Sequence, residues 1–370
     1  MSESAAGYSR AQRTRFQKAL AAWFSVAARD LPWRKSRELY RIWISEIMLQ
    51  QTQVATVIAY FNRFTAAFPT AAELAAAPEA DVLRLWEGLG YYRRARQLHA
   101  AAKKIVTEYG GEFPRTFDAV RALPGVGRYT AGAILSIGLD LPLPILEANT
   151  VRLFSRLAGF QGDPHSTVGQ AFLWKFAEEI LPAEDIGLFN QALMELGSLI
   201  CKPREPACGE CPVAAFCAAK KLGLQAEIPR PKKKPVIEDV TEAAVVIRRG
   251  KSILIRRRKA KERWAGMWDF PRFEVAAENE AALAAEVADN VQSQMKIAID
   301  NVTPLATIKH GVTRFRITLR CFTAAYGRGK IAGDEETLWL DPNALEEYPL
   351  SVSGRKIARL LVRPAAQSQP

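Results

Sequence analysis

Residues 116–134 read TFDAVRALPGVGRYTAGAI, and this stretch decides the fold. A short helix is followed by Leu123-Pro124-Gly125-Val126-Gly127, and then by a second helix. Pro and Gly end the first helix and permit a tight turn. Gly125 and Gly127 leave backbone N–H groups uncovered at the start of the second helix, where the helix dipole also favours an anion. Ordinary helix–helix turns share a lone G-x-G, so the hairpin needs support from the rest of the chain.

Outward from the hairpin, residues 10 to about 222 carry helical periodicity. Tyr40, Trp43, Ile44, Ile47 and Met48 recur at three- and four-residue spacing, as do Val82, Leu85 and Trp86. Pro and Gly punctuate the segments at Phe68-Pro69-Thr70, Gly110-Gly111 and Leu181-Pro182. At 370 residues the chain exceeds one ordinary core, and two or three domains are expected. With 49% hydrophobic and 24% charged residues the composition is globular. No apolar run approaches the ~20 residues that span a bilayer, and the N-terminal residues lack a secretory pattern. The expectation is a cytoplasmic protein of bacterial type, associated with the nucleoid and not with membrane.

Lys and Arg number 51 against 39 Asp and Glu, a net charge of +12. Both halves are basic, and this points to a polyanionic partner, nucleic acid first. In such a chain the hairpin's uncovered N–H groups suit DNA phosphate.

The character changes at IPRPKKKPVIEDV, where Pro229, Pro231 and Pro235 alternate with Lys232, Lys233 and Lys234. This composition predicts a stiff linker over 226–240. Beyond it, TEAAVVIRR and KSILIRRR read as a hairpin turning at Arg249-Gly250. A helix near Glu278–Val291, strands near Val312–Phe322 and Thr337–Leu340, and a last helix near Arg355–Leu361 complete a mixed α/β domain.

Four of five cysteines fall in CKPREPACGECPVAAFC, at Cys201, Cys208, Cys211 and Cys217, a C-x6-C-x2-C-x5-C pattern. An intracellular chain with clustered thiols suggests metal rather than disulfides. Zinc sites usually pair two short spacings across a longer loop. One Cys-x-x-Cys flanked by single cysteines better suits an iron–sulfur cluster, although spacing alone leaves both open. Cys321, alone in a probable strand, reads as a small buried apolar residue.

The hairpin, the cysteine pattern and the segments DLPWRKS, SEIMLQQTQVATVIAYF, WEGLGYYRRARQLH and FNQALMELG together resemble the helix-hairpin-helix DNA glycosylases, specifically the adenine-DNA glycosylases. The resemblance runs from about Phe16 to the C-terminus. It implies an all-α core bearing one 4Fe-4S cluster on the four cysteines, plus a C-terminal α/β Nudix-like domain. It further implies a six-helix module at about 31–140, a cluster module at about 1–30 and 141–225, the Nudix-like domain over 241–363, and a disordered tail at 364–370. The implied partner is double-stranded DNA with adenine opposite 8-oxoguanine or guanine, bound by a monomer.

By the same resemblance, Glu46 is the general acid that protonates adenine N7. A carboxylate on the largely apolar helix face of Ile42, Trp43, Leu49 and Gln50 would have its pKa raised by desolvation. Glu147, in LPILEANTVRLF, stands where the family has aspartate; its charge would stabilise the cationic sugar. Asp caps helices better than Glu, so capping is expected to pass to Asn149 or Thr150. Tyr129 occupies the position at which lyase relatives carry a Schiff-base lysine. No lysine occurs between Lys104 and Lys175. A monofunctional glycosylase using water is therefore implied.

Trp33, Arg34 and Gln191 match positions lining the adenine pocket, and Gln51, Leu89 and Tyr91 match residues that wedge the duplex during base extrusion. The Gly88-x-Gly90 break suggests that Leu89 and Tyr91 sit at an exposed tip. Val312, Thr313 and Arg314 match the family's lesion-reading loop, with Thr313 keeping a hydroxyl. Residues 248–264 carry nine basic residues and one acid, and phosphate contact is expected of them. The helix EAALAAEVADNV has too few acids for a working Nudix magnesium site. Two rival readings are an oxidised-pyrimidine glycosylase/lyase and a catalytically silent DNA-damage binder.

Overall fold

The computed structural model describes residues 7–230, 236–259, 262–312, 314–331 and 336–362. They form two compact units: Met1–Ala77 with Arg93–Lys233, and Pro78–Tyr92 with Lys234–Pro370. The segment 78–92 thus groups with the later unit rather than with its sequence neighbours. The expected tail at 364–370 and the central linker residues 231–235 lie outside the described residues.

In the first unit the helices are α1 (Arg10–Ala27), α2 (Leu39–Leu49), α3 (Val54–Ala67) and α4 (Ala71–Ala76); α5 (Glu79–Trp86) belongs to the second. The first unit continues with α6 (Arg93–Tyr109), α7 (Phe117–Arg121), α8 (Arg128–Leu139), α9 (Ala148–Ala158), α10 (Thr167–Glu179), α11 (Ile186–Leu199) and α12 (Ala218–Leu222). Thr70 and Glu73 form a capping box that starts α4. Phe16, Leu20 and Phe24 at four-residue spacing lay one face of α1 into a core with Phe154, Phe176 and Leu193. A second group of fully buried side chains includes Trp43, Met48, Phe61 and Phe64.

The second unit is a twisted sheet in the order β3-β2-β1-β6-β5, with β4 pairing β1 and β7 pairing β2. Its strands are β1 (Glu238–Arg249), β2 (Ser252–Arg257), β3 (Trp268–Asp269), β4 (Arg272–Glu274), β5 (Ile297–Val312), β6 (Phe315–Gly329) and β7 (Thr337–Leu340). Helix α13 (Glu280–Met295) lies between β4 and β5, and α14 (Val352–Val362) ends the described chain. The pleat sends Ala244 and Val246 to the face shared with Ile357, and Val245 and Ile247 to the face shared with Leu283, Val287 and Val291. Both faces are covered, which explains the unbroken apolar run in β1.

Three expectations change. Strand β1 already begins at Glu238, inside the expected linker. At the other end of that linker, Ile228 is 3% exposed and its carbonyl accepts from Arg156 Nε at 2.8 Å, so the first unit holds it. The strand expected near Val312–Phe322 is β6, starting at Phe315, and an unexpected strand, β5, precedes it and pairs with it as far as Val312↔Phe315. Val312 and Arg314 therefore lie at the end where β5 and β6 meet. Thr313 lies outside the described residues.

Candidate active site

Helix α2 carries Glu46 into the interior of the first unit, where it is 6% exposed. Tyr129, in the first turn of α8 after the Gly125–Gly127 turn, donates its hydroxyl to Glu46 Oε2 at 2.6 Å. Both face a cavity of about 510 Å³ that Trp33, Arg34, Gln51, Glu147, Asn149 and Gln191 also line. The sequence-derived residues of the first unit's pocket thus converge in one place, of a size typical for small-molecule sites.

Burial pushes Glu46 up to about 7; the hydrogen bond from Tyr129 and the charge of Arg34 oppose this, and the charge of Glu147 adds to it. Glu46 can thus hold a proton near neutrality and still give it up. Burial beside two carboxylates drives the Tyr129 hydroxyl well above its ordinary value, so it serves as a donor.

Glu147 corrects an expectation. It is itself the cap of α9: Oε1 accepts from Thr150 N at 2.9 Å and Oε2 from Asn149 N at 2.8 Å. The Thr150 hydroxyl in turn accepts from Glu147 N at 2.7 Å, completing a capping box. The longer side chain folds back far enough to do what a shorter Asp or Asn would do, so the cap does not pass to Asn149 or Thr150. Burial raises Glu147, while the N–H groups of Asn149 and Thr150 and the nearby Arg152 counter the rise. Asn149 also gives Nδ2 to Glu147 Oε2 at 3.3 Å, and its Oδ1 accepts from Arg152 at 2.9 Å.

One wall holds a group that sequence reasoning missed. Glu195 on α11 accepts from Arg29 N, Nε and a terminal guanidinium nitrogen at 3.0, 2.7 and 2.8 Å, and from Arg34 at 2.9 Å. Burial would raise this carboxyl, but those hydrogen bonds and the Arg34 charge hold it down at about 2. Arg34 is thereby fixed in the cavity wall, and Trp33 beside it packs edge-on against Phe61. The available signal was an acid in the largely apolar helix of FNQALMELG, four residues after Gln191.

Helix α8 begins at Gly127 with no side-chain cap, and Gly125 sits at φ 79°, a conformation that costs glycine little. Gln51 adopts φ 57° and is exposed at the cavity rim. In the second unit, Tyr91 (φ 49°) is 48% exposed, whereas Leu89 is 6% exposed. Only Tyr91 therefore fits the expected exposed tip; left-handed Gly88 and Gly90 fold the turn back and bury Leu89.

Close packing links the α9 start to α11. A Cβ on Gly197 would lie 2.8 Å from Asn149 Cβ and 3.3 Å from its carbonyl oxygen. Arg152 spans the same crossing, donating to Gly197 O and Cys201 O, both at 2.7 Å.

Cys201, Cys208, Cys211 and Cys217 line one small cavity. Burial pushes the Cys211 thiol up to about 11, and charge on Cys201, Cys217 and Cys208 would push it the same way. Four thiolates so placed need a cationic group among them, which is what an iron–sulfur cluster supplies. Arg156, 2% exposed, braces the loop through Lys202 O at 2.7 Å, Pro203 O at 3.2 Å and Cys201 Sγ at 3.3 Å. Cys321 is buried in β6, as its isolation suggested.

Within the basic run of 248–264, four arginines have acidic partners. Arg256 and Arg258 are buried and pair with Glu262, Arg257 pairs with Glu79 and Glu336, and Arg263 pairs with Glu242 and Glu274. These cations are occupied by the unit's own acids. Arg314, at the β5–β6 tip, is 60% exposed and pairs with Glu238 at 3.2 Å. On α13, Glu286 accepts backbone N–H groups from Ala276 and Ala277.

Comparison with known proteins follows this division. The HhH-GPD superfamily of base excision DNA repair proteins matches residues 44–179, the iron-sulfur binding domain of endonuclease III matches 201–217, and the NUDIX domain matches 243–360. An adenine DNA glycosylase of Schizosaccharomyces pombe is 30% identical over 94% of this chain and 90% of its own length. The chain belongs to the adenine DNA glycosylase family. A rat adenine DNA glycosylase is 43% identical over 61% of this chain, and that alignment spans 46%, about half, of the rat protein. A solved thermostable thymine-DNA glycosylase, 29% identical, superposes with a TM-score of 0.53 over 57% of this chain and 98% of its own. Membership makes the protein a DNA glycosylase of base excision repair that binds double-stranded DNA and carries a 4Fe-4S cluster. Among the described residues no helix is long and apolar enough to cross a membrane.

Proposed function

We propose that the protein hydrolyses the N-glycosidic bond of adenine mispaired with 8-oxoguanine or guanine, acting as a monomer with water as the nucleophile. The observation that carries the reading is the buried Glu46–Tyr129 pair in the cavity that Glu147 also lines. A protonated carboxyl with its pKa near 7 is matched to donating a proton at neutral pH.

Glu46 gives its proton to adenine N7. The N9–C1′ bond then breaks with its electron pair going to the base, and the positive charge left on the sugar faces Glu147. Water adds to C1′ and returns a proton to Glu46. Trp33, Arg34 and Gln191 line the pocket that takes the extruded base; Gln51 and Tyr91 support its extrusion. The uncapped α8 start at Gly125–Gly127 suits a DNA phosphate. Cys201, Cys208, Cys211 and Cys217 hold the 4Fe-4S cluster, and the second unit reads the base opposite adenine through the loop of Thr313 and Arg314.

Single-turnover excision from an A:8-oxoguanine duplex, with borohydride trapping in parallel, tests the reading. Release of adenine without a covalent adduct supports it. A trapped adduct would favour a glycosylase/lyase, and no release a silent binder.

A further inference from the structure

The turn that presents Tyr91 is anchored by an ion pair within the second unit. Glu87, the C-cap of α5, immediately precedes Gly88. Its carboxylate accepts from Arg355 Nε at 2.6 Å and from a terminal nitrogen of Arg355 at 2.9 Å, and Oε2 also accepts from Leu350 N at 3.2 Å. Arg355, on α14, donates further to Leu345 O and Tyr348 O, both at 2.8 Å. Both side chains are about five-sixths buried, at 16% and 15% exposed. A second pair, Arg257 to Glu79 at 3.7 Å, meets the other end of α5. The helix is therefore gripped at both ends by the sheet-bearing unit. The forked geometry at Glu87 fixes direction as well as distance.

Immediately beyond Glu87 come Gly88 (φ 101°), Gly90 (φ 73°) and Tyr91 (φ 49°). Tyrosine pays a steric penalty in that region, and such a conformation persists where its surroundings hold it. Trp86 Nε1 donates to Gly90 O at 3.2 Å, closing the turn from the α5 side. Tyr91 stays 48% exposed at its apex.

We propose that Glu87 and Arg355 are positioning residues for recognition of the opposite base: their pair ties the Tyr91 turn to α14, whose Ile357 shares a core with Ile308 and Ile317 of the β5–β6 hairpin. Engagement of the opposite base by that hairpin is then transmitted to Tyr91, so wedging of the duplex depends on which base is present. This rests on the reading above that the second unit reads the base opposite adenine.

The test uses the full-length protein with its cluster and measures single-turnover excision opposite 8-oxoguanine and opposite guanine. Glu87→Gln and Arg355→Gln are each made alone and with Tyr91→Ala. Each single variant is expected to lower the 8-oxoguanine-to-guanine rate ratio by about tenfold, within the range that misplacement of a distant group can cost. In the Tyr91→Ala background the same substitutions should change the ratio by less than about twofold, because coupled residues are non-additive. Melting and iron content identify unfolded variants, and Glu87→Gln, an isosteric change, carries the test where Arg355→Gln does not fold. An unchanged ratio in a folded variant, or the full loss persisting without Tyr91, overturns the proposal. Absence of adenine excision by the unaltered protein would instead overturn the functional reading beneath it.

Discussion

Tyr129 donates to the same carboxyl, Glu46, whose proton the proposed reaction uses, and the 2.6 Å contact acts against that proton. Burial holds the proton on Glu46, and the phenol favours its release. The two influences leave the group close to neutral pH rather than locked in one state.

Tyr129→Phe should therefore raise the pKa of Glu46. The rate of excision by the unaltered protein is expected to fall as pH rises through about 7, with loss of the acid form. In the Phe variant this alkaline fall should move to higher pH. Single-turnover rates from pH 5 to 10 measure it, and a fall at an unchanged or lower pH would contradict the assignment.

Glu46→Gln should bind the mispaired duplex but lose excision, and it should also be more stable above neutrality. The folded protein keeps the Glu46 proton up to about 7, whereas the unfolded chain releases it near 4.5. The folded state thus binds the extra proton between those values, and stability contributed by this group falls as pH rises through the window. At pH 8 the variant should gain up to about 3 kcal/mol, and at pH 4 almost nothing. Chemical denaturation at the two pH values distinguishes this from a uniform effect.

Glu147→Gln keeps an oxygen that can accept from Asn149 N or Thr150 N, but it loses the charge. If that charge stabilises the sugar cation, excision should slow by about 100-fold, the order expected for loss of a preorganised electrostatic group. Glu147→Asp keeps the charge and can cap α9, so it should cost much less. Equal rates for all three proteins would reduce Glu147 to a helix cap.

Tyr129→Lys should confer borohydride-trappable strand nicking, since it places an amine where lyase relatives have one. A folded variant that still excises adenine but traps no adduct would contradict the alignment of the hairpin.

Much of the helical unit could be read from sequence because its signals are local. Proline and glycine mark helix ends, and the four cysteines stand in a short pattern with chemical meaning, whereas Glu46 and Tyr129 were singled out through the resemblance of their segments. Glu195 was only faintly legible: its apolar helix hints at burial, but its partners Arg29 and Arg34 lie more than 160 residues away and only the fold brings them to it. Strand β5 escaped because register shifts near Ile299, Thr303 and Ala306 break the two-residue alternation that reveals a strand. The pairing of four arginines in the basic run was hidden for a related reason. Charge counts along a sequence do not show that Glu242 and Glu336 pair with Arg263 and Arg257 from elsewhere in the chain.

Gly197 carries no atom that could act on a substrate, yet the approach of α11 to Asn149 leaves no room for even one methyl group. Any side chain there forces α11 and the start of α9 to give way at Asn149, two residues from Glu147, so a change in bulk alone bears on the turn that holds the carboxylate. An inactivating substitution in such a protein can thus leave every functional group chemically intact. Judging a variant here requires asking what it pushes as well as what it removes.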